Sequence, residues 1–268
     1  MAKDRILFIN QEITPYISAN PVSSLGKFLP VNMQEKGFEV RTFMPKFGSV
    51  NERRNQLHEV IRLSGININI NDNDHPLVIK VASLQPSRIQ VYFIDNDDYF
   101  QKSATDVDAS GSNRPDNDER AIFFSRGTME TAKKLRWDPK YIHCSGWITA
   151  LIPLYIKRLY GDDLSFKNSK VVYSIQPAKD MAPVDSKIFA KLKAEGISQR
   201  DLKKYATEEA DVNLLHKIGV DFAHAVIIND PEISPELLEY VKASGKPVLM
   251  AQEMEQDGDK YLQFYESI

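Results

Sequence analysis

Cysteine is almost missing from this chain of 268 residues. The single one, Cys144, has no partner, so no intrachain disulfide can staple the fold, which suits a reducing compartment. Long apolar runs are missing too. Nothing approaches the roughly 20 consecutive apolar residues of a spanning helix. Residues 6–9 are too short for the apolar centre of a signal peptide. We therefore expect a cytoplasmic protein with no membrane partner. Charge of one sign is scarce: 34 Lys and Arg against 37 Asp and Glu leave a net of −3, and no basic stripe invites nucleic acid. Glycine is scarce where a dinucleotide fold needs it. Residues 10–26 hold only Gly26, so the Gly-x-Gly-x-x-Gly turn that brings backbone amides to a pyrophosphate is not there. No Walker A, Cys-x-x-Cys or His-Glu-x-x-His spacing occurs. His58, His75, His143, His216 and His224 have no metal-ligand spacing. Neither a cofactor nor a metal is expected.

What is present is an α/β pattern. A chain of this length buries about three quarters of its unfolded surface, ample for a sizeable core. Residues 5–10 (Arg-Ile-Leu-Phe-Ile-Asn) form a short apolar run with polar ends, a buried strand. A loop follows over 11–21, then a helix over 22–36 with Leu25, Phe28, Leu29 and Met33 on one face. Gly37 stands at its C-cap, and Pro30 should kink it. Residues 38–44 make a second strand. This opening is the first unit of a doubly wound, Rossmann-like sheet.

Segments 57–63, 67–70, 77–84 and 89–94 are short and β-rich, and read as antiparallel hairpins inserted into that sheet. Residues 103–119 are polar and read as an exposed, mobile loop. The alternation then resumes: helix 118–135, strand 141–144, helix 147–160, strand 170–175, short helices within 176–211, helix 213–222, strand 225–228, helix 234–243, strand 247–250 and a terminal helix over 261–268. With no repeat or linker, we expect one domain over 1–268: an α/β fold, doubly wound, with a mostly parallel sheet and a small antiparallel β-hairpin excursion.

Isolated reactive groups carry little. Asp95, Asp97 and Asp98 follow a strand, and Asp72 and Asp74 sit in a turn, where carboxylates gather for backbone reasons. Cys144 ends a strand beside Ser145 with no identifiable base, and reads as a buried thiol.

Several collinear segments resemble one family. Residues 6–15 (ILFINQEITP) are similar to the first strand and loop of bacterial glycogen synthases and plant starch synthases, which carry Glu-x-x-Pro there, here Glu12 and Pro15. The likeness continues through 25–45, 91–100 (VYFIDNDDYF), 116–126 with its Asn-x-x-Arg-x-x-x-Phe helix, 137–160, 170–175 and 217–229. The resemblance implies half of a GT-B fold, the N-terminal, acceptor-side domain of a retaining glycosyltransferase. Such enzymes move glucose from ADP-glucose to an α-1,4-glucan. The C-terminal nucleotide-binding domain is absent from the resembling region.

The chain departs from the family at its polar motifs. Where the family has Lys-x-Gly-Gly-Leu-x-Asp, residues 18–24 read Ser-Ala-Asn-Pro-Val-Ser-Ser. Ser18 replaces the lysine, Asn20 and Pro21 the glycines, and Ser24 the aspartate. The family's Asp-Trp-His-Thr reads Gly146-Trp147-Ile148-Thr149, and a later His-Asn pair reads Gln176-Pro177. No catalytic residue set is intact. We therefore expect a glycogen synthase-like protein that is inactive alone and serves as an α-glucan-binding or regulatory module. The alternatives are an active subunit completed by a separately encoded half, and a protein-interaction scaffold. The rim at 14–22, 145–148 and 176–182 is expected to be apolar and covered by a protein partner, by self-association or by the polar 180–211 segment folding back, with simple cavity filling by Ile148 as the competing reading.

Overall fold

The computed structural model describes residues 3–101, 114–178, 183–207, 210–252 and 256–268. Strand β1 (Arg5–Asn10) is buried on both faces, as a central parallel strand must be. Helix α1 (Pro21–Glu35) follows, with Pro30 buried inside it. Gly37 turns the chain with φ +100, its N–H bonding to Gln34 O while the Phe38 N–H reaches Met33 O. That is the left-handed stop expected of a C-cap glycine. Strand β2 (Glu39–Pro45) then lies parallel to β1, Arg5 opposite Glu39 and Ile9 opposite Phe43.

The hairpin excursion comprises β3 (His58–Glu59), β4 (Ile66–Ile70), β5 (Asn73–Leu84) and β6 (Ile89–Asp95). Asn71 and Asp72 both have positive φ, 53° and 62°, the geometry of a two-residue type I′ turn between β4 and β5. Strand β6 runs antiparallel to β5 but parallel to β2, which welds the excursion to the main sheet. The remaining elements are α2 (Asn117–Leu135), β7 (Tyr141–Ser145), α3 (Ile152–Arg158), β8 (Lys170–Ile175), α4 (Ile188–Ala194), α5 (Gln199–Leu202), α6 (Val212–Phe222), β9 (Ala225–Ile228), α7 (Pro235–Ala243), β10 (Val248–Met250) and α8 (Gly258–Glu266). The sheet order is β10-β9-β8-β7-β1-β2-β6-β5-β3, with β4 added on β5. It is a mostly parallel, Rossmann-like sheet with an antiparallel excursion.

The register fixes which side chains share a face. Phe8, His143, Val172 and Ala225 align across β1, β7, β8 and β9. Helix α8 packs here, Tyr265 Oη lying 2.6 Å from His143 Nδ1. On the other face Tyr173 Oη meets His216 Nδ1 of α6 at 2.7 Å, and Gly219 gives the Tyr173 ring its space.

Four expectations need correction. The helix expected over 147–160 is two pieces, a single turn over Trp147–Thr149 and then α3, whose first turn holds Pro153, a position where a missing amide hydrogen costs nothing. The loop expected over 103–119 ends earlier: Asn117 and Asp118 are buried in the first turn of α2, and residues 102–113 lie outside the described residues. The terminal helix starts at Gly258, where Asp257 caps the Asp259 and Lys260 amides at 3.0 and 3.2 Å. Asp95 is no surface turn residue but a buried one, whereas Asp97 and Asp98 are exposed. Cys144 is fully buried, and burial pushes its thiol pKa up. Among the described residues no helix is long and apolar enough to cross a membrane.

Candidate functional site

In an open parallel sheet the carboxyl ends of the strands form the edge where ligands bind. Backbone bonds step across that edge: Gln11 N to Ser145 O at 3.0 Å, Gly146 N to Ser174 O at 3.1 Å, Asn229 N to Ile175 O at 2.9 Å. The side chains brought together there are amides and hydroxyls. Asn10 Nδ2 donates to Thr42 Oγ1 at 3.1 Å, and Gln176 Nε2 to Ser145 Oγ at 2.9 Å. Asn229 Nδ2 donates to Ala251 O at 3.2 Å and Tyr261 Oη at 2.7 Å, which turns its Oδ1 toward Ser174 Oγ. All of these side chains are buried. The Oε1 atoms of Gln11 and Gln176 are enclosed without a hydrogen-bond partner among the described residues.

The loop over 11–24 is closed against α1. Ile13, Tyr16 and Ile17 anchor it in the core. Asn20 is the N-cap: its Oδ1 accepts from Ser23 N at 2.8 Å, while Asn20 N donates to Ser23 Oγ at 3.0 Å, a reciprocal capping box. Asn20 Nδ2 also donates to Glu12 Oε2 at 2.7 Å. Ser24 N bonds Asn20 O at 2.9 Å, Thr14 N bonds Ser23 O at 3.0 Å, and Ser23 Oγ bonds Ser18 O at 3.0 Å. Gly26 lets α1 sit directly on the loop, since a Cβ there would lie 2.2 Å from Glu12 O. A free helix N-terminus attracts anions through its unpaired amides. Here Pro21 has no amide hydrogen, and the Ser23 and Ser24 amides are engaged inside the chain. Ser18, Asn20, Pro21 and Pro15 are exposed, and Ser24 faces outward, lining a groove of about 390 Å³ on α1 with Lys27 and Phe28.

The second motif turns inward. Gly146 has φ +91, and a Cβ there would come within 2.5 Å of Gln11 Oε1. The short turn after it packs against α2 and α6. Trp147 is buried 5.7 Å from the Arg120 guanidinium, which also faces Phe47 and Phe100 at 5.9 and 5.8 Å. Ile148 is fully buried, and Thr149 Oγ1 bonds Gly146 O at 2.8 Å. The expected apolar rim is therefore not found among the described residues. Ile148 belongs to the core, Ser145–Trp147 and Gln176 are covered by their own chain, and the exposed rim residues are Pro15, Ser18, Ala19, Asn20 and Pro21, with no large apolar side chain. Residues 179–182 of that rim lie outside the described residues.

Asn10, Gln11, Thr42, Ser174, Asn229 and Tyr261 were not identified from the sequence. For Asn10, Gln11 and Asn229 the signal is an amide at the end of an apolar strand run; Thr42 and Ser174 lie within strands and Tyr261 lies in α8, and no local pattern marks them.

Farther along the same edge, at β2 and β6, the character changes. Lys46 and Lys80 both reach Glu52 Oε1, at 2.8 and 2.7 Å, and Lys80 meets Asp95 Oδ2 at 2.8 Å. Gln101 bridges Asp95 and Lys46, at 2.8 and 3.2 Å. Burial alone would lower the Lys80 pKa, but its bonds to Asp95 and Glu52 win and raise it. Burial likewise opposes ionisation of Glu52, yet Lys46 and Lys80 hold its pKa down. Among the described residues no group of three His, Cys, Asp or Glu side chains is placed to hold a metal.

Against this geometry stand the known proteins that the chain is similar to. The sequence profile of the starch synthase catalytic domain matches residues 5–250. Glycogen synthase of Chlorobaculum tepidum is 35% identical over 253 residues, covering 90% of this chain and 51% of that protein. Glycogen synthase of Chlorobium limicola is 34% identical over 195 residues, covering 72% and 40%. The chain thus spans about half the length of the curated relatives it matches. Among solved structures, the catalytic domain of starch synthase IV from Arabidopsis thaliana, bound to ADP and acarbose, superposes with a TM-score of 0.72 at 14% identity, over 92% of this chain and 51% of that one. That likeness shows a shared fold. With the profile spanning nearly the whole sequence, the chain belongs to the starch synthase catalytic domain family.

Proposed function

We propose that this chain, acting as one domain in the cytoplasm, is a glycogen synthase-like module that binds α-glucan and does not transfer glucose on its own. The observation that carries this reading is the closed capping box at Asn20–Ser23. Transfer from a nucleotide sugar needs preorganised positive charge or free donors on the leaving diphosphate. Here the loop that bears lysine and two glycines in the resembling enzymes engages the Ser23 and Ser24 amides within its own chain and carries no cation. The glucan part of the reading draws on the family and on its Arabidopsis member, which is bound to acarbose as well as ADP.

The test is co-sedimentation with glycogen. The chain is expected in the pellet, with ADP-glucose leaving its distribution unchanged. A chain that stays in the supernatant overturns the reading. A second reading, a catalytic subunit completed by another polypeptide, draws on the chain spanning half the length of its relatives. Labelled glucose entering glycogen once a family C-terminal half is supplied in trans would favour it.

A further inference from the structure

A cavity of about 470 Å³ lies along β4, outside the strand-end site. Its wall includes six consecutive residues, 67–72. Side chains alternate along a strand, so a strand that offers a face lines a cavity with every second residue. Four of these, 67–70, are consecutive strand residues and 71–72 are the turn after them, so the backbone edge itself forms part of the wall. Among the described residues β4 pairs with β5 alone, from Ile66 opposite Leu77 to Ile70 opposite Asn73. Its inner face is accounted for: Ile68 and Ile70 are buried, and Gly127 of α2 lets the hairpin pack closely.

The opposite wall is helical. Lys187, the N-cap of α4, and Ala190, Lys191 and Ala194 line it at spacings of three and four, one face of a helix. Ala190 and Ala194 are exposed and short, which leaves width between helix and strand. Ile122 and Arg126 of α2 also line it. An open strand edge facing a helix across a groove is the geometry of strand addition. There main-chain bonds supply affinity and side-chain pockets supply selectivity.

Two further observations bear on the occupant. Natural edge strands are usually blunted by charge, proline or a bulge, yet β4 reads Ile-Asn-Ile-Asn-Ile with none of these. The charges in the groove are mostly committed: Lys191 binds Asp118 and Glu119, and Arg126 pairs with Glu195. Lys187 is exposed and makes no ion pair among the described residues, so it is the cation left for a ligand. We propose that this groove receives an extended peptide segment of a partner protein, which adds to β4 as a further strand and sets an acidic side chain against Lys187. A glucan chain has no row of donors and acceptors at strand spacing, and is disfavoured as occupant.

The probe is a random dodecapeptide library displayed on phage, panned against the full chain. Enriched peptides should alternate β-branched residues and share an acidic position. Synthetic versions should protect the amides of residues 66–72 from hydrogen exchange. Ala190→Trp fills the groove from an exposed helix position, and should weaken binding about tenfold or more with thermal unfolding unchanged. Lys187→Glu should shift the shared position from acidic to basic. No enrichment over the Ala190→Trp chain overturns the proposal, as does protection that falls elsewhere. Protection of 66–72 by maltoheptaose in place of peptide assigns the groove to glucan and also overturns it.

Discussion

The carboxyl edge of one sheet has two halves. At β2 and β6 it holds Lys46, Lys80, Glu52 and Asp95, buried or half-buried and mutually paired. At β1, β7, β8 and β9 it holds Asn10, Ser145, Ser174, Gln176 and Asn229, equally buried and without formal charge. A charge taken out of water is strongly destabilising unless a countercharge meets it. In the first half the chain supplies both signs. In the second, neutral donors and acceptors meet one another, so no countercharge is required.

The comparison can be broken most forcefully in its charged half. Asp95→Ala leaves two ammonium groups on Glu52, and should cost about 3–5 kcal/mol in denaturant unfolding. A loss below about 1 kcal/mol would mean that the network is solvated and the contrast false. Acid should act in the opposite sense. Burial holds the His143 pKa down at about 3 and that of His216 at about 4. Both lie below the unfolded value of about 6.5, so their contribution is complete above that pH and falls as pH drops toward the folded values. The slope is about 1.4 kcal/mol per pH unit for each histidine. Glu52, with its pKa lowered, keeps its pairs until the pH falls below the ordinary carboxylate value. Hydrogen exchange at pH 5 should therefore loosen β7 and α8 while β2 and β6 stay protected; the reverse order would contradict the assignment.

Smaller changes sharpen the neutral half. Ile148→His buries an imidazole in an apolar turn and should cost about 1–3 kcal/mol without creating transferase activity in a labelled-glycogen assay. Gln176→Ala removes neutral bonds to Ser145, Ser174 and Asn229 and should cost about 1–2 kcal/mol, visibly less than Asp95→Ala. Ser18→Lys, on an exposed loop, should change stability by no more than about 0.5 kcal/mol. It should also leave ADP-glucose binding absent, because the Ser23 and Ser24 amides remain engaged.

The first unit was legible because its signals agree. The apolar run of β1, the apolar face of α1 and Gly37 each point to one local structure, and all three are found. Elsewhere the missing information was spatial. Asp95-Asn96-Asp97-Asp98 reads as a turn, and only the β5–β6 pairing shows Lys80 beside Asp95 while the next two carboxylates face water. Ile148 could be matched to a motif position, but not the direction of its side chain, which the turn over 147–149 sends between α2 and α6. The neutral floor was invisible because its members run from Asn10 to Tyr261, and no local pattern links them.

The most direct test is calorimetric titration of ADP-glucose into the full chain. The account predicts no saturable heat in the micromolar range, because residues 11–24 carry no cation, Pro21 has no amide hydrogen, and the Ser23 and Ser24 amides are engaged within the chain. Saturable micromolar binding that Asn20→Gly strengthens would contradict it, and would return this edge to nucleotide chemistry.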